Sequence, residues 1–545
     1  MTHRIARGFV AGLGIGLLAA LTHLAAQGRV GGTPSAAADD WPTYNRTPAG
    51  ERFSPLTELT TANVSRLRQA CLFDTGEQVS FQTGPVVIAG VMYVTSDTMT
   101  YAIDAATCAV KWKQPHGYRP TTLGVNRGAA FDGGRVFRGA GTGHVLALDA
   151  ASGQAAWDVE LSPAPPGVTV PMAPVAWNGM VFVGNAGGDN FGVTGHVWAL
   201  DQKDGHTIWR FDVVPDSGPV RDTWRNAPGV PATGGAFWTT FGLDTQDGVL
   251  FVPAGNPAPD FVPDARPGDN LYTNSVIALD TKTGKVIGYT QIVKRDTHDW
   301  DVSAGPVVLT TRGGQRLIAS ANKDGLLTAL DRASLPAAPA STAPGPTMRQ
   351  VWQGATTTRE NVDAPLTAGT PVRFCPGVQG GTEWNGPAFD PTTNLLIVGA
   401  ADWCTTVNAL SPENVGGRVG GPWSGTTQGF GVMDPADKRS GWITAFDADR
   451  GTVAWKYHST MPMLSGITPT AGDVVFAGEL NGDVIALDAK TGAVLWRQPT
   501  ANAVGGGVIT YRAGGKQLVA VAAGFKTRVW SVPAESNRII VFGLP

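Results

Sequence analysis

Residues 295–303 read "RDTHDWDVS", set between the apolar stretches "GKVIGYTQIV" and "AGPVVLTT". Arg295, Asp296, His298, Asp299 and Asp301 gather there in a chain that is only 16% charged. Connections between strands are polar by default, because exposed backbone and tight turns favour Asp, Asn and Gly. That default accounts for Asp296 and Asp299, which read as turn polarity. Asp301, directly behind Trp300, is harder to assign to a turn, and the rest of the chain decides its role. Asn256 in "AGNPAP" reads by itself as an Asn-Pro turn.

A scaffold must bring such distant positions together, and composition narrows its class. The 545 residues are 42% hydrophobic with Gly 71 and Pro 39, which favours many short strands joined by tight turns. A formal charge of -3 without a basic run argues against a nucleic-acid or anionic-membrane surface. At the N-terminus, Arg4 and Arg7 precede the apolar run "FVAGLGIGLLAALTHLAA" and the small residues Ala25, Ala26 and Ala36 to Ala38. Residues 1–38 therefore read as an export signal with a short linker, and the mature chain is expected to start between Gln27 and Asp39. An uncleaved anchor is the alternative, since the run approaches spanning length; His23 and the glycines favour cleavage. No later segment is long and apolar enough to span, so stable membrane insertion is not expected. Cys71, Cys108, Cys375 and Cys404 are an even set in an exported chain, which implies two disulfides. There is no C-x-x-C-H for covalent haem and no C-x-x-C of any kind.

One unit recurs. "YAIDAATCAVKW" begins at 101, "LALDAASGQAAW" at 146, "WALDQKDGHTIW" at 198, "IALDTKTGKVIG" at 277, "TAFDADRGTVAW" at 444 and "IALDAKTGAVLW" at 485, with a truncated "TALDRASL" at 328. Each predicts a strand, an Asp-x-x-x-Gly turn and a second strand closing on Trp. Repetition of a small antiparallel unit predicts radially arranged sheets. With an eighth sheet from "GGGVITYRAGGKQLVAVAAG" and "RIIVFGLP", the fold class is all-β, a single eight-bladed β-propeller over residues 41–545. "LRQACLFD" is expected to pair with the last blade and close the ring. The doubled spacing from Asp331 to Asp447 predicts an insertion at about 399–440, placed to cap a central site. Cys108 replaces the turn glycine, so Cys71–Cys108 is expected within one blade; Cys375 and Cys404 flank one hairpin and are expected to pair.

The repeat, the opening "WPTYNRTPAGERFSPLTELTTANVSRL" and "PAGNPAPDFVPDARPGDNLYTNSVIALDTKTGK" resemble the quinoprotein alcohol dehydrogenases, which use pyrroloquinoline quinone (PQQ) and Ca2+ on an eight-bladed propeller. The resemblance implies that Asp301 is the catalytic base and also a metal ligand, with Asn256 and Asp189 completing the metal set. It implies that Lys323, in "ASANKDG", contacts the quinone oxygens and stabilises negative charge developing there. Trp238, in "GGAFWTT", would stack on the quinone, and Arg127, in "VNRG", would pair with a quinone carboxylate. Gln82, Glu383, Trp384, Thr121 and Thr122 fall at the remaining cofactor positions. Several of these depart from the family's pattern. Asp189, followed by Asn190, stands for a glutamate, Thr121 and Thr122 for adjacent cysteines, and Gln82 for a glutamate. Glu383 stands for Asn or Asp, Pro171 for a threonine, and Leu464 for a tryptophan. Ser303 replaces the extra acid of the lanthanide-using branch, which implies the calcium type.

The implied function is a periplasmic or secreted PQQ- and calcium-dependent dehydrogenase of a small alcohol. With no haem motif in the chain, electrons would pass to a separate carrier such as a cytochrome c or a quinone. The alternative is a non-enzymatic propeller serving as an envelope scaffold or assembly factor. It would keep the blades but has no use for Asn256, Asp301, Trp238 and Lys323 together. A glycosidase built on paired carboxylates has nothing positive behind it.

Overall fold

The computed structural model describes residues 38–118, 124–162, 165–527 and 529–545. Residues 1–37, which fall in the segment read as an export signal, and the positions of Thr121 and Thr122 lie outside them. Among the described residues are eight four-stranded antiparallel sheets. Taken in chain order, the innermost strands of the blades are Val86–Ile88, Ala130–Asp132, Val175–Trp177, Gly242–Asp244, Val307–Thr310, Ala388–Asp390, Thr468–Pro469 and Val508–Ala513. The outermost strand of the eighth blade is the N-terminal Arg68–Asp74, hydrogen-bonded to Arg538–Gly543. The two ends of the chain thus close the ring.

The repeated turn explains how neighbouring blades lock. In five places the closing tryptophan docks on the turn of the next blade. Trp112 lies over Gly153, Trp157 over Gly205, Trp209 over Gly284, Trp352 over Gly451 and Trp455 over Gly492. A Cβ added at any of these glycines would fall within 2.9 Å of the indole or, at Gly205, equally close to Val159. Each indole N–H also donates to the carbonyl of the residue after the next blade's Asp, from Trp112→Ala150 at 3.0 Å to Trp455→Ala489 at 2.9 Å. The turn glycine is needed twice over, for its positive φ and for the ring above it.

Two junctions solve the same contact differently. The fourth blade carries Gly288 at the tryptophan register, and the fifth carries Leu335 at the turn-glycine position. A Cβ on Gly288 would come 2.5 Å from the Leu335 side chain, so large-over-small has become small-under-large. At the ring closure, Cys71 occupies the tryptophan register and Cys108, at φ 62°, the glycine position. They form a disulfide. This bridge joins the last blade to the first, which corrects the expectation that both cysteines share one blade. Cys375–Cys404 is the second disulfide; it links strands Val372–Phe374 and Thr405–Val407 of a small three-stranded sheet.

The extra length between Asp331 and Asp447 is distributed over three segments. Residues 332–348 and 356–387 flank the strand Arg349–Ala355, and residues 403–439 join the two middle strands of the sixth blade. Residues 399–402 and 440 belong to those blade strands rather than to an insertion.

In an up-and-down blade the first and third hairpins emerge on one face of the ring. The second hairpins and the connections to the next blade emerge on the other. The Asp-x-x-x-Gly turns are third hairpins. The insertion is a second hairpin and so shares the opposite face with every inter-blade connection.

Candidate active site

All the described candidate residues fall on that opposite face. Gln82, Arg127, Trp238, Asp301, Glu383 and Trp384 lie in connections between blades, while Asp189, Asn256 and Lys323 lie in second hairpins. Topology alone therefore gathers positions separated by some 300 residues of chain.

Lys323 sits at the tip of a tight turn that Gly325 permits with φ 76°. It is 6% exposed. Its Nζ lies 2.9 Å from Asp301 Oδ2 and 3.1 Å from Asp299 Oδ2. The other oxygen of Asp301 accepts the Asn256 backbone N–H at 2.9 Å. Gly255 allows that approach, since a Cβ there would stand 2.5 Å from Asp301 Oδ1. Asn256 Nδ2 donates to Asp260 Oδ1 at 3.0 Å. Oxygens of Asp189, Asp260 and Asp299 lie within 4.8 Å of one another.

The stretch that reads as turn polarity divides in two. Asp296 does serve the turn, accepting the N–H groups of His298 and Trp300 at 3.0 Å each. Asp299 does not: it is 1% exposed, holds φ 60° and shares Lys323 with Asp301. His298 stacks on Trp300 with centroids 4.2 Å apart, and Arg295 pairs with Asp269 at 2.9 Å in solvent. Sequence reasoning also missed Asp260, four residues beyond Asn256 and fully buried. Its available signal was the motif itself, "NPAPD", in which a carboxylate follows one short turn after a candidate ligand.

Beside the charged group two indole rings face cationic side chains. The Arg127 guanidinium lies 4.7 Å from the Trp238 ring centroid and 5.4 Å from that of Trp384, and Lys323 Nζ lies 5.9 Å from Trp238. Arg127 Nε, Gln82 Oε1 and Glu383 Oε1 are buried without partners. A buried donor and acceptors left unmade point to a polar ligand. A guanidinium and an ammonium lying over aromatic faces suit one that is flat and anionic. The residues fit PQQ with a cation at its edge.

A family model described as "Glucose/ethanol/alcohol dehydrogenase, beta-propeller domain" matches residues 41–347. The chain belongs to the PQQ alcohol dehydrogenase family. It is 30% identical over 530 residues to a quinohemoprotein alcohol dehydrogenase of Comamonas testosteroni, covering 89% of this chain and 73% of that one. It is 29% identical to a lanthanide-dependent methanol dehydrogenase of Methylacidiphilum fumariolicum (strain SolV), covering 92% and 89%. The solved quinohemoprotein alcohol dehydrogenase ADHIIG of Pseudomonas putida HK5 superposes with a TM-score of 0.82 at 25% identity, over 93% of this chain and 80% of that one. A second family model, described as outer membrane protein assembly factor BamB, matches residues 439–542, where the plain blades lie.

The charged group is strongly polarised. Burial pulls the Lys323 ammonium toward release, but Asp299, Asp301 and Glu383 outweigh it and hold the pKa well above the lysine range. Burial and neighbouring carboxylates push Asp260 and Asp299 well above the carboxylate range. Asp189 is pushed up to about 6, by burial and then by Asp301. Glu383 is pushed up to about 7, chiefly by burial. Carboxylates crowded this way stay charged only if a cation joins them.

Two devices hold the loops of this charged group in register. Arg266, 2% exposed, donates to the carbonyls of Pro259, Asp260 and Asp296 at 2.7–2.9 Å and so ties the Asn256 loop to the Asp301 loop. The sixth-blade insertion crosses the site. Trp423 N–H donates to Asp189 C=O at 2.8 Å, and Ser424 C=O accepts Phe261 N–H at 3.0 Å. The departures from the family pattern are also placed: Pro171 C=O accepts the Arg127 N–H at 2.7 Å, and Leu464 is packed with Trp384, Trp403 and Trp530.

Proposed function

We propose that the protein is exported to the periplasm, oxidises an alcohol there with PQQ and a cation, and passes the electrons to a separate acceptor. The observation that carries this reading is the meeting of Asp301, Lys323 and Asn256 beside Trp238 and Arg127, with buried polar atoms left unpartnered. PQQ, when bound with its cation, supplies the hydride-accepting quinone of alcohol oxidation.

This chain's residues do the rest. Asp301 is the base that takes the alcohol hydroxyl proton, and its carboxylate is fixed from both sides by Lys323 and the Asn256 N–H. Trp238 offers a flat platform, and Arg127 presents a guanidinium fork to an anionic edge. Lys323 sets a fixed positive charge beside Trp238. Asp189 and Asn256 supply oxygen ligands to the cation, and Gln82, Glu383 and Trp384 complete the polar and aromatic surroundings. Among the described residues no helix is long and apolar enough to cross a membrane. The N-terminal segment supports a periplasmic enzyme, whose acceptor we take to be an external cytochrome c or quinone. The scaffold reading draws on the blades alone and gives no use to a buried ammonium among four carboxylates.

The test is alcohol-dependent reduction of an artificial electron acceptor by purified protein loaded with PQQ and Ca2+. Turnover is expected in the wild type and not in Asp301→Asn. An inactive wild type that binds no PQQ would overturn the reading.

A further inference from the structure

Asp301 is already engaged on both oxygens, by the Lys323 ammonium and the Asn256 N–H. Asp260 and Asp299 are not. They are 0% and 1% exposed, and each keeps one carboxylate oxygen, Asp260 Oδ2 and Asp299 Oδ1, with no partner. Their second oxygens are held by Asn256 Nδ2 at 3.0 Å and by Lys323 Nζ at 3.1 Å. Together with Asp189 they present oxygens within 4.8 Å of one another, a spread that one hard cation can bridge. A buried carboxylate oxygen without a donor is costly, and two residues that each keep one, in a cluster with a third carboxylate, mark a place that is completed by positive charge.

We propose that Asp260 and Asp299 are additional anionic ligands of the cation, beyond Asp189, Asn256 and Asp301. We further propose that the surplus charge makes the site favour a trivalent cation of calcium-like size over Ca2+. Four carboxylates against the Lys323 ammonium and the Arg266 guanidinium behind Asp260 leave a formal excess of two negatives, and hard-ion affinity follows the charge count of the ligands. Ser303 contributes nothing to this balance, since its hydroxyl is turned to the Thr382 carbonyl. The charge enters instead through the residue two places before Asp301 and through the end of the "NPAPD" turn. The inference rests on the cation-dependent reading above.

The experiment titrates La3+ and Ca2+ separately into chelator-treated full-length protein and reads cation affinity by calorimetry, without turnover. La3+ is expected to bind the wild type at least about 100-fold more tightly than Ca2+. Asp260→Asn and Asp299→Asn are each expected to weaken La3+ binding by more than about tenfold, and to narrow the La3+/Ca2+ ratio because Ca2+ loses less. Near-equal wild-type affinities overturn the charge argument without any variant, so it stays decidable where a variant fails to fold. Folded variants that bind La3+ as tightly as the wild type overturn the ligand assignment. A wild type that binds neither cation overturns the cation-dependent reading itself.

Discussion

The ammonium of Lys323 lies 2.9 Å from the carboxylate of Asp301, and both side chains are buried. That ammonium is also the only cation within salt-bridge distance of Asp299 among the described residues. Its removal should therefore act first on stability. Lys323→Met is expected to lower the stability of the cation-free protein by about 3–5 kcal/mol, the usual cost of stranding one side of a buried pair. Saturating cation should return much of it, by neutralising the same carboxylates. Urea unfolding with chelator and with excess cation checks this; equal losses in both would contradict it.

The pH dependence of the cation-free protein follows from Glu383 and Asp324, both pushed up to about 7 chiefly by burial. Each holds its proton more tightly folded than unfolded. Their contribution is complete below the ordinary carboxylate range and disappears as pH rises through 7. The melting temperature should therefore fall between about pH 5 and 7.5. Glu383→Gln should flatten that fall; a variant with an unchanged slope would show that Glu383 does not titrate there.

Cys71–Cys108 replaces an indole-on-glycine contact at the ring closure. Thiol titration of the denatured, unreduced protein should find no free sulfhydryl. Cys71→Ser with Cys108→Ser should destabilise by about 4 kcal/mol from the closed-loop entropy. Cys71→Trp with Cys108→Gly rebuilds the contact used at five other junctions and should recover part of the loss. Recovery no better than in the serine pair would mean the junction depends on the covalent link itself.

The sixth-blade insertion should set how long the cation stays. Trp423 packs edge-on against Phe191 at 4.8 Å while its backbone N–H holds Asp189. Trp423→Ala is expected to speed cation release about tenfold with little effect on global melting. Stopped-flow chelation measures it; an unchanged release rate would separate the insertion from the metal site.

The blades were legible because the turn and the tryptophan are local signals repeated in order. Even the exceptions obey the contact rule: Gly288 lacks its indole where Leu335 lacks its glycine. The pairing of the strand that carries Cys71 with the last blade was legible, but its disulfide was assigned within one blade, because only the folded ring shows that Cys71 stands at the tryptophan register over the first blade's turn. At the site, Asp301 stood out beside Trp300, whereas Asp299 looked like any turn aspartate. Its burial and its share of Lys323 arise only when the fourth and fifth blades meet. Asp260 was hidden for the same reason. Its four-residue distance from Asn256 means something only after the chain folds back so that the Asn256 amide reaches it.

The most direct test of the account is a PQQ titration of the purified full-length protein, followed by calorimetry, with saturating cation and again with chelator. The account predicts one PQQ per chain at micromolar concentration or tighter, dependent on cation, retained in Asp301→Asn and weakened in Arg127→Ala. Absence of cation-dependent PQQ binding in the wild type would contradict it.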